Sequence, residues 1–195
     1  AAFLRSPRTN IDTMIQAFQL VGEGDAINYG AFWLYALCND FMAKVRVPGV
    51  DLPENEMWQV VETELMNRAD YDRIVSHGWV NYFQKMMRER ILNDVPPEYL
   101  PPQRRPVDVR NEWRSIGVPV LSGGDITTPI ELLCGARSLM AFAIDLIEIP
   151  EKVEAVMDVI LPHLSGAATR RAQSQGYPLV WIGGWRAAPC LLSPA

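Results

Sequence analysis

Residues 116–131, IGVPVLSGGDITTPIE, constrain this 195-residue chain more than any other stretch. Val118, Val120 and Leu121 form a short apolar run rich in β-branched residues, which reads as a buried strand. Ser122, Gly123, Gly124 and Asp125 end the run as a glycine-rich turn, and Thr127, Thr128 and Pro129 open a helical pattern. In parallel α/β architectures the loop after a strand's carboxyl end is where ligands bind, because side chains and free helix N–H groups converge there. The pattern returns downstream: Leu179, Val180, Trp181 and Ile182 read as a second buried strand, with Gly183, Gly184, Trp185 and Arg186 as its exit. Between the two, residues 129–134 and 138–147 read as helical pieces interrupted at Gly135. Pro150 and Glu151 then open a long helix striped by Val153, Met157, Ile160, Leu164 and Ala168, kinked at Pro162 and closed by Gly176. Two strands joined by helices make a β-α-β crossover, with both glycine-rich exits expected at the same end.

Upstream the periodicity is helical. Ile11, Met14, Ile15, Phe18 and Val21 stripe one amphipathic helix that Gly22 and Gly24 close, and residues 29–45 predict a largely buried helix with Asn39 and Asp40 as its polar exception. A rigid connector, Val47 to Pro53, precedes Met57, Val61 and Leu65, whose spacing predicts a helix to about Asn67. A short helix from Asp70 to near Gly78 follows, then one striped by Trp79, Phe83, Met87 and Ile91, a packing stripe rather than a cofactor box. Residues 93–106 carry five prolines around Arg104 and Arg105 and read as a linker. The expected organisation is an all-helical portion over residues 1–106 and an α/β portion over 107–195.

A net charge of -5 and the lack of any Lys/Arg run exclude a general nucleic-acid surface. No apolar run approaches the roughly 18 residues of a membrane span. The first residues lack a signal-peptide pattern, so the chain reads as cytoplasmic and not membrane-bound. Cys38, Cys134 and Cys190 fit neither a disulfide framework nor a Cys-x-x-Cys metal hairpin and read as buried thiols. His77 and His163 lie far apart in helical patterns and read as helix residues, so no metal ligand is assigned.

The candidate site follows from the two strand exits. Asp125 reads either as the cap of the helix at Thr127 or as a general acid or substrate-orienting carboxylate. Ser122, Gly123 and Gly124, with Gly183 and Gly184, would let a ligand approach the backbone. Arg186 reads either as a bidentate partner for a carboxylate or phosphate or as a surface ion pair, and Trp185 either stacks on a flat macrocycle or serves as a core or lid residue.

In four stretches, taken in order, the chain resembles the uroporphyrinogen decarboxylase superfamily. Val118-Pro119-Val120-Leu121 through Pro129 is similar to the family's strand and Pro-containing helix start, and residues 135–145 to its segment of Gly, apolar helix and Asp-Leu. Pro150-Glu151-Lys152-Val153 resembles its Pro-Glu-x-Val helix opening. Val180 to Trp185, with Leu192-Ser193-Pro194 beyond, resembles its strand, Asp-Ser-Trp and Leu-Ser-Pro.

The resemblance implies a TIM (β/α)8 barrel. A barrel needs about 250 residues, so the chain reads as an incomplete one, with the C-terminal part missing and an all-helical N-terminal portion. The decarboxylases carry an arginine-bearing Pro-Val-Trp-x-Met-Arg-Gln-Ala-Gly-Arg-Tyr stretch that residues 1–28 do not match, and Gly183 and Gly184 stand where they have an acidic residue and Ser. These departures favour the superfamily's other branch, corrinoid-dependent methyltransferases that move a methyl group between a cobalamin and a thiol or folate. The expected partner is a tetrapyrrole or corrinoid, free or on a corrinoid protein; zinc would be held by residues beyond Ala195, and a homodimer stays open. Uroporphyrinogen III decarboxylation and a non-catalytic corrinoid or tetrapyrrole carrier are the alternatives.

Overall fold

The computed structural model describes residues 2–102 and 107–186, with Ala2 and Asp125 by their backbone alone. Arg104, Arg105, Cys190 and the Leu192-Ser193-Pro194 motif lie outside the described residues.

The chain opens with α1 (Ala2–Arg5) and α2 (Pro7–Val21). The Ser6 hydroxyl accepts the Thr9 N–H, Pro7 occupies the first turn, and Gly22, at φ 75°, closes α2 in the left-handed conformation. Asn10 on α2 is fully buried: its Oδ1 accepts the Phe32 N–H at 3.1 Å and its Nδ2 donates to the Phe32 carbonyl at 2.5 Å. Both backbone groups of Phe32 are thereby satisfied outside a helix. The continuous helix expected over residues 29–45 is accordingly reduced to a 3-10 turn, Leu34–Ala36, and α3 (Leu37–Phe41), which Met42 ends at φ 48°.

The N-terminal portion is not all helical. β1 (Val45–Arg46) pairs antiparallel with β2 (Gln59–Val60), Val45 opposite Val60. The helix expected around Met57, Val61 and Leu65 does not form. Instead the Val61 N–H donates to the Lys44 carbonyl at 2.9 Å and the Met66 N–H to the Ala136 carbonyl at 2.9 Å. The β-branched Val60, Val61 and Thr63 suit that extended path. Next come α4 (Arg68–His77), opened by an Asn67/Asp70 capping box, and α5 (Trp79–Met86), which runs on as a π turn to Ile91.

After a 3-10 turn at Pro97–Tyr99 the chain forms α6 (Val109–Ser115), β3 (Ser122–Thr127), α7 (Pro129–Arg137), α8 (Leu139–Glu148), α9 (Pro150–Gln175) and β4 (Leu179–Gly183). α9 spans the expected stretch with Pro162 inside it and Gly176 at its end. The break between α7 and α8 falls at Ser138, not at Gly135. β3 and β4 are parallel, so the helices between them form the expected crossover, with Ser122 opposite Leu179 and Thr127 opposite Gly183.

Two expectations about the glycines are corrected by that register. Ser122, Gly123, Gly124 and Asp125 are not a turn after a strand; they belong to β3, with a register irregularity between Ser122 and Asp125. Gly123 therefore lies near the start of the pairing and Gly183 at its end, so the two glycine-rich stretches are not at one end. The apolar run before them is held from the other side. The Leu121 N–H donates to the Ile27 carbonyl at 2.9 Å while its carbonyl accepts the Leu179 N–H at 3.3 Å. Leu121, just before β3, thus bonds to the Ile27 stretch through its N–H and to the start of β4 through its carbonyl, and the chain here runs between the two. Ile27 and Val120 form a parallel bridge.

The two expected portions also share their cores. One cluster joins Leu37, Phe41, Tyr71 and Ile74 to Leu133, Phe142, Val156 and Ile160. A second joins Ile11 to Val109, Trp113, Val118 and Val120, and the Trp113 indole donates to the Gly30 carbonyl at 2.7 Å. Burial across the boundary near residue 106 makes one packed body of both halves.

Candidate functional site

Between the N-terminal helices and the β3-β4 face lies an open cleft of about 1360 Å³. Its volume exceeds the roughly 300–1,000 Å³ of pockets for drug-sized ligands. A row of aromatic rings runs along it. Tyr29 stands 5.8 Å from Trp181, Trp181 is 5.7 Å from Trp185, Trp185 is 4.8 Å from Phe41, and Phe41 is 5.8 Å from Trp58, between ring centroids. Four of these five, Phe41 excepted, line the cleft, so the row offers π surface to a ligand as well as packing.

The glycines of the candidate site seat aromatic rings. A Cβ on Gly123 would overlap the Tyr177 ring, and one on Gly183 would overlap the Trp181 indole. Gly123, Tyr177 and Trp181 all line the cleft, so these glycines shape its wall by leaving room for the rings close against the strands. The Ser122 hydroxyl accepts the Trp181 N–H at 3.2 Å and ties β3 to β4. Gly124 lies within β3 and Gly184 just past β4.

Asp125 does not cap α7. That place belongs to Thr128, whose hydroxyl accepts the Glu131 N–H at 3.3 Å. Asp125 sits in β3 opposite Trp181, and its side chain lies outside the described residues.

Arg186 is committed to protein carboxylates. Its Nη2 donates to Glu62 Oε1 at 2.7 Å, its backbone N–H donates to Glu131 Oε2 at 2.7 Å, and its guanidinium lies 5.4 Å from the Phe41 ring centre. Its Nη1 lies 3.6 Å from Glu131 Oε1, and both atoms are buried without a hydrogen-bond partner. Of the two sequence readings of Arg186, the ion pair is the one formed, although the side chain is largely buried, at 13% exposure, rather than on the surface. Glu131, fully buried in the first turn of α7, was not anticipated. Thr128-Pro129-Ile130-Glu131 carries a capping-box spacing that could have drawn attention to it, but that pattern does not specify burial.

At the other end of the cleft, Arg110 donates to the Gln175 and Gly176 carbonyls at 2.9 and 3.0 Å and lies 4.8 Å from the Tyr177 ring centre. It thus covers the exposed carbonyls that end α9. The Asp108 carboxylate accepts from the Asn111 N–H and side-chain amide at 3.1 and 2.8 Å, opening α6. Asn39 and Asp40, the polar pair expected inside a helix, line the cleft.

Cys38 and Cys134 are buried free thiols, as expected. Burial pushes Cys38 up to about 12, and it pushes Cys134 up to about 11 against the opposing pull of Arg186. Neither carries thiolate at neutral pH. Among the described residues no group of three His, Cys, Asp or Glu side chains could hold a metal ion, and no helix is long and apolar enough to cross a membrane. Comparison with protein-family models, curated proteins and solved structures finds no match to this chain.

Proposed function

We propose that this chain belongs to a cytoplasmic uroporphyrinogen decarboxylase-like enzyme of the corrinoid-dependent methyltransferase type, binding a corrinoid or related tetrapyrrole in the aromatic-walled cleft. The observation that carries the reading is the ring row from Tyr29 through Trp181 and Trp185 to Trp58 beside a cleft of about 1360 Å³. A flat macrocycle needs a large apolar wall, and indoles supply one at little rotamer cost. Trp185 follows the carboxyl end of β4 and Thr127 ends β3, which puts part of the cleft where parallel α/β folds gather their ligands. The chain's role in the reaction is to seat the macrocycle and exclude water from one of its faces. Methyl transfer to a thiol or folate is the chemistry that the corrinoid itself supplies.

The test is a titration of the protein with hydroxocobalamin and, in parallel, with coproporphyrin, following tryptophan fluorescence. Saturable quenching by the corrinoid is expected. Trp181→Ala is expected to weaken it about tenfold, the effect of losing one aromatic contact of ~1.5 kcal/mol. Methyl transfer from methylcobalamin to a thiol or folate then identifies the methyltransferase. Decarboxylation of uroporphyrinogen III would instead identify the decarboxylase, and tight binding with neither activity a carrier.

A further inference from the structure

We infer that Glu131, acting through Arg186, is a positioning residue for Trp185, the ring that carries the aromatic row from β4 to the N-terminal helices. The inference rests on the reading of the cleft as a binding site. Trp185 lies beyond the last paired residue of β4, so the sheet does not hold it. At 47% exposure, burial does not hold it either. What fixes it is the next residue. The backbone N–H of Arg186 donates to Glu131 Oε2 at 2.7 Å, its side chain reaches Glu62 at 2.7 Å, and its guanidinium lies over the Phe41 ring that Trp185 packs against at 4.8 Å. Glu131 is anchored in turn, with no exposed surface and its own N–H held by Thr128. A buried carboxylate beside a guanidinium is an arrangement with few geometric alternatives. Tethered on one side by Glu131 and on the other by Phe41, Trp185 presents its ring to the cleft with its conformation already selected, so a ligand meets a preordered surface.

The decisive experiment labels the protein with 5-fluorotryptophan and records 19F spectra, with the Trp185 resonance assigned by its loss in Trp185→Phe. In Glu131→Ala the Trp185 resonance is expected to move and broaden while those of Trp79 and Trp113 hold. In Glu131→Gln, which keeps an acceptor oxygen for the Arg186 N–H, it is expected to stay near its original position. A Trp185 resonance unchanged in both position and width in Glu131→Ala overturns the inference. Should Glu131→Ala not fold, the double variant Glu131→Leu with Arg186→Leu removes the tether without stranding a charge, and the same two outcomes decide. Hydroxocobalamin titration adds the second readout, a loss of affinity of about tenfold in Glu131→Ala and less than about twofold in Glu131→Gln. Failure of the original protein to bind hydroxocobalamin would refute the proposed function, whereas the ligand-free spectra would still decide the role of Glu131.

Discussion

Gly135 shows how a residue can be noticed for the wrong reason. By pattern it is a helix interruption, since glycine weakens helices. It instead lies inside α7, where a Cβ would overlap the backbone carbonyl of Phe41 on α3. Backbone cannot rotate away as a side-chain tip can, so Gly135→Ala is expected to destabilise the fold by about 3 kcal/mol, the upper range for overpacking. Chemical denaturation checks this: a midpoint lowered by that amount supports the contact, and a neutral or stabilising effect refutes it. Gly123 and Gly183 were legible as places of close approach, but what approaches them is Tyr177 and Trp181 of the same chain. Pattern indicates that a Cβ is unwelcome and is silent about its replacement. Glu131 was less legible still, because its burial is produced by a segment some fifty positions further along the chain folding onto it.

Among the elements, those whose stability is local read correctly. α2 carries a Ser6 cap and a Gly22 stop, α9 a first-turn proline and a Gly176 stop, and both span the expected stretches. The extended chain at residues 61–66 did not, because the Lys44 and Ala136 carbonyls that hold it are remote in sequence and outweigh a helical spacing of three apolar residues. β3 moved past its β-branched run for the same reason: its pairing with β4 sets where the strand lies, and glycines can pair when a neighbour supplies the hydrogen bonds. The helix junctions offer a prediction. Gly78 joins α4 to α5 at φ 85°, ψ 154°, and Ser138 joins α7 to α8 at φ 69°, ψ 153°. This region is essentially reserved for glycine, so Ser138 carries backbone strain of about 1–3 kcal/mol. Its compensation is a long cap, the hydroxyl accepting the Ala141 N–H at 3.4 Å. Ser138→Gly costs only a few tenths of a kcal/mol in capping and is expected to stabilise the protein by about 1 kcal/mol. A thermal midpoint raised by about 2–4 °C would bear this out; a lowered one would refute it.

At the scale of the whole molecule, two buried carboxylates bind the parts together. Asp145 on α8 accepts from Arg137 Nε and Arg68 Nε at 2.7 Å and from the Tyr71 hydroxyl at 2.9 Å, joining α8 to α7 and α4. Asp70 accepts from Arg73 and Arg90 at 2.7 and 3.3 Å and from the Asn67 N–H at 2.9 Å. Burial alone would raise both acids. The bonds from Arg137, Tyr71 and Arg68 outweigh it for Asp145, as those from Asn67, Arg73 and Arg90 do for Asp70, and both are lowered. A carboxylate lowered by folding contributes stability that is present above its unfolded value, about 3.9, and is lost as pH falls through the folded value. Stability is therefore expected to hold from pH 7 to about 5 and to decline below about 4. Asp145→Asn is expected to cost about 3 kcal/mol at neutral pH and to flatten that acid decline. Denaturation midpoints across the pH series measure both, and a variant with an unchanged acid slope would exclude Asp145 as a source of it.

The position of Ile27 beside Val120 has a consequence for how the protein is made. The stretch around Ile27 leaves the ribosome with its strand partner still unsynthesised, and its backbone groups are met by water until the segment before β3 has followed. The other edge of β3 then waits for α7, α8 and α9 to emerge before β4 can reach it. Helices such as α2 can form as they appear, whereas the sheet is assembled last and across long separations, the slow kind of pairing. During that interval the apolar run at Val118, Val120 and Leu121 is the segment most in need of shelter from other nascent chains.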